Sequence, residues 1–161
     1  ALDPAPTPAR PAAVAPPLPA PTRRPGSRRN TLVLTAENLT PIRSRIGELL
    51  QEVGAQCILL SNREGMVLTE VGSTTGIPTM GLMPLLSTSF SASGQISSML
   101  RERDSSSLYM QEGSHFDLYC FDVSQQFMLV LIFDKAYSAT KIGTAWVYTK
   151  RAIRDMLEYL A

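Results

Sequence analysis

Hydrolytic or group-transfer chemistry needs a base, a nucleophile or a metal held by groups at suitable spacing. Few residues of this chain offer one. His115 is the single histidine, set beside a turn at the start of a strand-like run, and no GxSxG motif accompanies it. Gly72-Ser73-Thr74-Thr75-Gly76 has the look of a phosphate loop, but it lacks the Gly-Lys-Ser/Thr ending that supplies a phosphate-binding lysine and a magnesium ligand. Asp117 and Asp122 share one strand run at odd spacing, so they point to opposite faces and read as solvent-facing carboxylates rather than an acid/base pair. Cys57 and Cys120, the only cysteines, sit in apolar runs; two thiols make no zinc site, and each reads as a small buried hydrophobe. Tyr119, Phe121, Phe127 and Phe133 could stack on bases, but no Lys or Arg lies between His115 and Phe133 to neutralise phosphates. The expectation is a protein without catalytic residues, metal or cofactor, and without a nucleic-acid partner.

Composition narrows the class further. At 161 residues the chain has room for one domain and an appendage, and 44% hydrophobic with 18% charged residues is ordinary for a globular protein. The longest apolar run, Phe127 to Phe133, is far below the ~20 residues a membrane helix needs. Prolines interrupt every apolar stretch at the N-terminus, so no secretory signal is read there and the cytosol is the expected compartment. The net charge of +1 divides unevenly: residues 1–30 carry five arginines against Asp3, and the remainder is mildly acidic. Nine of the 12 prolines also precede residue 26. A stretch of that composition buries too little apolar surface to offset its ordering entropy, so residues 1–30 read as a tail or linker and 31–161 as the folded domain.

The elements that would position any site follow from periodicity. Thr40 as N-cap and Pro41 at the first helical position, then Ile42, Ile46, Leu49, Leu50 and Val53, predict a first amphipathic helix ended by Gly54. Ala55–Ser61 and Met66–Val71 read as a hairpin across Asn62-Arg63-Glu64-Gly65. A second helix is predicted from about Pro78 to Arg101, with Pro84 setting its true start or kinking it. That helix is rich in Ser and Gly, poor helix formers whose small side chains let another backbone approach closely. Three strands, Ser107–Gln111, His115–Val123 and Gln126–Phe133, read as a meander. Ser138 then caps a last helix with Ile142, Trp146, Ile153, Leu157 and Leu160 on its buried stripe. The series is α-β-β-α-β-β-β-α: an α+β fold with a five-stranded antiparallel sheet sandwiched by helices.

The segment from Ala55 to Gly65, with its apolar strand and Asn-x-x-Gly turn, resembles the opening of Roadblock-family proteins. Ser107-Leu108-Tyr109-Met110, Val130 to Asp134, and the helix from Ile142 to Leu160 are similar in order and spacing to the bacterial MglB-type regulators of small GTPases. The likeness covers about residues 39 to 161. It implies a homodimer in which the second helices pair and the third strands join into one sheet, and whose second helices form a platform for a Ras-like, MglA-type GTPase. On that resemblance Met80, Met83, Ser87, Ser91 and Gly94 are the candidate partner-binding face, and Ser89, Ser93, Ser107 and Tyr109 the dimer contact. Arg101 and Arg103 are the arginines near enough to serve as a finger. The alternative is a structural adaptor like the dynein-associated Roadblock chains, binding without regard to nucleotide; a small-molecule sensor ranks third. Pro78, Pro84, the scarcity of charge on the second helix and the Pro/Arg tail depart from the MglB pattern and bear on GTPase activation more than on fold.

Overall fold

A computed structural model of the chain describes residues 3–5, 34–102, 108–138 and 141–160. Most of the expected tail, together with Arg103 and Ser107, therefore lies outside the described residues. The chain divides into two units, Ala1–Thr31 and Leu32–Ala161, and every element below belongs to the second.

Helix α1 (Ala36–Val53) leads to strands β1 (Cys57–Asn62) and β2 (Val67–Gly72), helix α2 (Thr79–Met99), strands β3 (Leu108–Glu112), β4 (Phe116–Val123) and β5 (Phe127–Asp134), and helix α3 (Ile142–Leu160). The five strands form one antiparallel sheet in the order β2-β1-β5-β4-β3, which leaves β2 and β3 at its edges. Central β5 is apolar at nearly every position because both its faces are covered. Leu129, Leu131 and Phe133 face α1 and α3; Met128, Val130 and Ile132 face α2. Two helices on one face and one on the other make the sandwich that the periodicity predicts.

The turns follow from their residues. The Asn62 side-chain oxygen accepts the N–H groups of Glu64 and Met66, and Gly65 takes φ +93°, a conformation with little cost only for glycine. Between β4 and β5, Ser124 and Gln125 both adopt positive φ, the geometry of a tight hairpin turn, and the Asp122 carboxylate steadies it by accepting the Gln125 N–H.

Four expectations need correction. Helix α1 starts at Ala36 rather than at Pro41: the Thr35 carbonyl accepts the N–H groups of Asn38 and Leu39, and the Thr40 hydroxyl donates back to the Ala36 carbonyl. Pro41 then lies in the second turn, where its missing N–H deprives only the Glu37 carbonyl of a partner. Ser138 lies four residues before α3 begins and is not at its first turn. The buried stripe of α3 is Ala145, Thr149, Ala152, Ile153, Met156 and Leu160, so Ile142, Trp146 and Leu157 sit on an exposed flank. Small Ala and polar Thr form the close contact with the sheet and α1, while larger apolar side chains ride at its border. Finally, Asp117 and Asp122 do face opposite ways but are half-buried in ion pairs, with Lys135 and Arg63 respectively, rather than solvated.

Candidate interaction surface

Helix α2 is held on the sheet by a narrow stripe, Met83, Leu86 and Phe90, packed on Cys57, Leu59, Cys120, Met128, Val130 and Ile132. Past Phe90 no residue of α2 is buried. The attachment is reinforced from the β1–β2 turn. Arg63 places its guanidinium over the Phe90 ring at 4.7 Å and pairs with Asp122, while its carbonyl accepts a hydrogen bond from the Ser87 hydroxyl. Gly65 comes so close that a Cβ there would stand 2.8 Å from the Met83 carbonyl oxygen. The turn and the helix backbone are thus in contact only because residue 65 has no side chain.

The outward face of α2 is unusual for a surface helix. Its 21 residues include no charged side chain, yet Leu85, Thr88, Ala92, Gln95 and Met99 run exposed along it at alternating three- and four-residue spacing, with Ile96 alongside. Such spacing aligns a seam that a second helix can fill. Leu85 is 68% exposed and Met99 84%. The hydroxyls of Thr88, Ser97 and Ser98 turn back to the helix carbonyls of Pro84, Ser93 and Gly94, so the polar groups of this face are largely satisfied within the helix. Edge strand β3 pairs with β4 alone among the described residues, and Tyr109 on it packs toward the α2 side.

Placing the sequence-derived residues on this geometry separates them. Met80, 93% exposed, and Ser91 lie outward. Met83 does not: at 1% exposure it is a core residue beneath α2, because the helix turns the 83/86/90 stripe to the sheet. Ser87 is half-buried against Arg63, and Gly94, Ser89 and Ser93 are half-buried along the flanks. Ser107 lies outside the described residues. Leu85, Ala92, Ile96 and Met99 were missed; their spacing was the available signal, hidden by a parallel apolar stripe two positions out of phase.

Elsewhere little chemistry is assembled. His115 is exposed, its Nδ1 2.9 Å from the Ser114 hydroxyl. Among the described residues no group of three potential metal ligands occurs, and no helix is long and apolar enough to cross a membrane. Cys57 and Cys120 are fully buried under α2, and burial pushes their thiols from 9.0 up to about 11 and about 12. Burial disfavours the thiolate, so both should resist a thiol-specific disulfide reagent at pH 8 and react on unfolding in guanidinium chloride, as a colorimetric thiol titration would show. The same shift dictates a pH effect. The unfolded chain releases these protons near pH 9 while the folded one retains them, so their contribution to stability is intact below pH 9 and lost as pH rises toward 11 for Cys57 and 12 for Cys120.

No family model matches the chain, and no curated protein matches it by sequence. Solved structures do. Myxococcus xanthus MglB superposes with a TM-score of 0.65 at 26% identity, over 73% of this chain and 92% of that one. The gliding protein MglB from Thermus thermophilus gives 0.70 at 24%, over 81% and 96%. The chain has the Roadblock fold and is similar to MglB. A Roadblock/LC7 domain from Streptomyces avermitilis, 13% identical with a TM-score of 0.63 over 73% and 96%, shares the fold. The α2 face and the β3 edge are parts of this Roadblock-like fold.

Proposed function

We propose that this Roadblock protein has no catalysis of its own and acts as a homodimer that binds and regulates, as an activator of hydrolysis, a small Ras-like GTPase of the MglA type in the bacterial cytoplasm. Residues 31–161 form the binding domain and residues 1–30 a linker. The observation that carries the reading is the charge-free, exposed outward face of α2 beside an edge strand that pairs with β4 alone among the described residues, in a chain similar to MglB. An apolar seam of this kind is stable in water when another surface covers it, and a second copy offers the same helix and the same edge in self-complementary form. With α2 engaged centrally, Met80 and the loop from Gly72 to Gly76 remain at its outer end to meet the GTPase. Methionine adapts readily to a partner surface.

Light scattering of the chain, alone and with an MglA-type GTPase loaded with GDP or a GTP analogue, tests this. A dimer that takes up one GTPase only with the analogue, with accelerated phosphate release, is the expected result. A dimer indifferent to nucleotide would instead support an adaptor role, and a monomer would remove the basis for both.

A further inference from the structure

We propose that the shelf between helix α3 and edge strand β3 docks an acidic, amphipathic helical segment of a partner protein. The shelf lies on the sheet face opposite α2 and does not depend on the regulator reading.

Two helices do not cover five strands on that face. Helix α1 lies over β2 and β1, and Asp155 on α3 reaches back to Arg45 on α1. The other flank of α3 therefore points away from α1, toward β4 and β3. Trp146 on this flank meets Phe121 of β4, their ring centroids 6.0 Å apart. In register, Phe121 pairs with Leu108 of β3 and Tyr119 with Met110. Leu108 packs at the margin of the core, while Met110, two residues on and on the same face of the strand, is exposed. Along the helix, Trp146, Lys150 and Arg154 follow at four-residue spacing, and Leu157 returns to the flank three turns after Trp146. Trp146 keeps 37% of its surface exposed and Leu157 40%. An apolar floor on β3 and an aromatic wall on α3 are thus left open to water.

The rim selects the occupant. Residues 142–154 hold Lys150, Arg151 and Arg154 and no Asp or Glu, although residues 31–161 as a whole are mildly acidic. Arg45, Arg63 and Lys135 each pair with a carboxylate, whereas none of the three α3 cations forms an ion pair among the described residues. Lys150 instead lies over the Trp146 ring, 4.7 Å from its centroid, which holds its ammonium at the lip of the shelf. Carboxylates set beside apolar side chains complement such a surface. Residues 1–30 of the chain carry five arginines against Asp3, so like charges would meet there, as they would if the same face of a second copy were the occupant. A phosphate backbone would answer the cations and leave the floor bare. A bilayer is flat and cannot enter a recess set one layer below the helix. A partner helix fits both parts: its apolar stripe covers Trp146, Leu157 and Met110, and glutamates bordering the stripe meet Lys150 and Arg154.

Trp146 is the only tryptophan of the chain, so its fluorescence reads the shelf directly. The full chain is titrated with tryptophan-free model helices: one with a leucine stripe bordered by glutamates, one with lysines in place of the glutamates, and one with alanines in place of the leucines. Vesicles of phosphatidylcholine and phosphatidylserine form a further arm. A saturable blue shift with the leucine–glutamate helix alone is the expected result. Lys150→Glu combined with Arg154→Glu, both outside the core, should weaken that binding by about tenfold or more and transfer the preference to the lysine helix. Circular dichroism of the double variant checks that its fold is intact. Absence of saturation, an equal response to the lysine or alanine helix, or an undiminished affinity in the double variant would overturn the proposal. A response to the vesicles in place of the helix would overturn it in favour of a lipid surface.

Discussion

Replacing Gly65 with valine should detach α2 from the sheet and lower the stability of the domain by about 3 kcal/mol or more. Two costs combine. The residue sits at φ +93°, a region in which a β-branched side chain is strongly disfavoured. A Cβ would also meet the carbonyl oxygen, carbonyl carbon and amide nitrogen of Met83 and Pro84 at 2.8 to 3.0 Å, and these are backbone atoms that cannot rotate aside. The helix must shift, and with it the Met83–Leu86–Phe90 contact and the Arg63–Phe90 and Ser87–Arg63 links. Denaturant unfolding of the variant gives the loss directly. Amide exchange should be faster in α2 than in α1 and α3, since those helices pack on the opposite face. A variant with wild-type stability would mean that the turn can move away from α2 at little cost. The close approach would then not be what fixes the helix.

The difference between the two faces of the sheet explains what the sequence reveals. On the α1 and α3 side the apolar alternation of β1, β4 and β5 and the helical repeat of Ile42, Ile46, Leu49 and Val53 identify strands, helix and core together, because burial is deep and continuous. The order of elements and the turns at Asn62–Gly65 and Ser124–Gln125 were legible for the same reason: glycine, asparagine and a two-residue link have few other uses between apolar runs. On α2 the pattern divides. Leu82, Met83, Leu86 and Phe90 alternate with Leu85, Ala92, Ile96 and Met99, so the helix has two apolar stripes and periodicity alone does not say which one meets the sheet. The resemblance puts Met83 on the outer face, and it lies inward. The contacts from Gly65 and Arg63, made by residues 18 to 27 positions distant in the chain, join the sheet contacts in fixing the rotation of the helix. The contact between Gln56 and the loop after β2 was illegible altogether. The Gly72–Gly76 segment reads as a plain loop, and its pairing with Gln56 arises from the register of β1 against β2 and β5.

The outward stripe of α2 also sets the clearest test of assembly. Ala92→Glu should convert the proposed homodimer to a monomer, weakening self-association by at least about a hundredfold while leaving the monomer folded. Ala92 lies near the middle of the exposed stripe, between Leu85 and Met99, on a helix with no charge of its own. In a two-fold seam each substitution occurs twice and the two carboxylates approach each other, so burial without a cation and like-charge repulsion add. Within one chain the cost is small, because position 92 is exposed and Ala to Glu changes helix propensity by only a few tenths of a kcal/mol. Circular dichroism and thermal unfolding of the dilute variant check that the fold survives; sedimentation or light scattering reads the dimer. Loss of the dimer with an intact fold places the seam on this stripe. An unchanged dimer that no longer takes up the GTPase would make the same stripe the partner platform and move self-association to the β3 edge. An unchanged dimer with unchanged GTPase binding would remove the stripe from both roles.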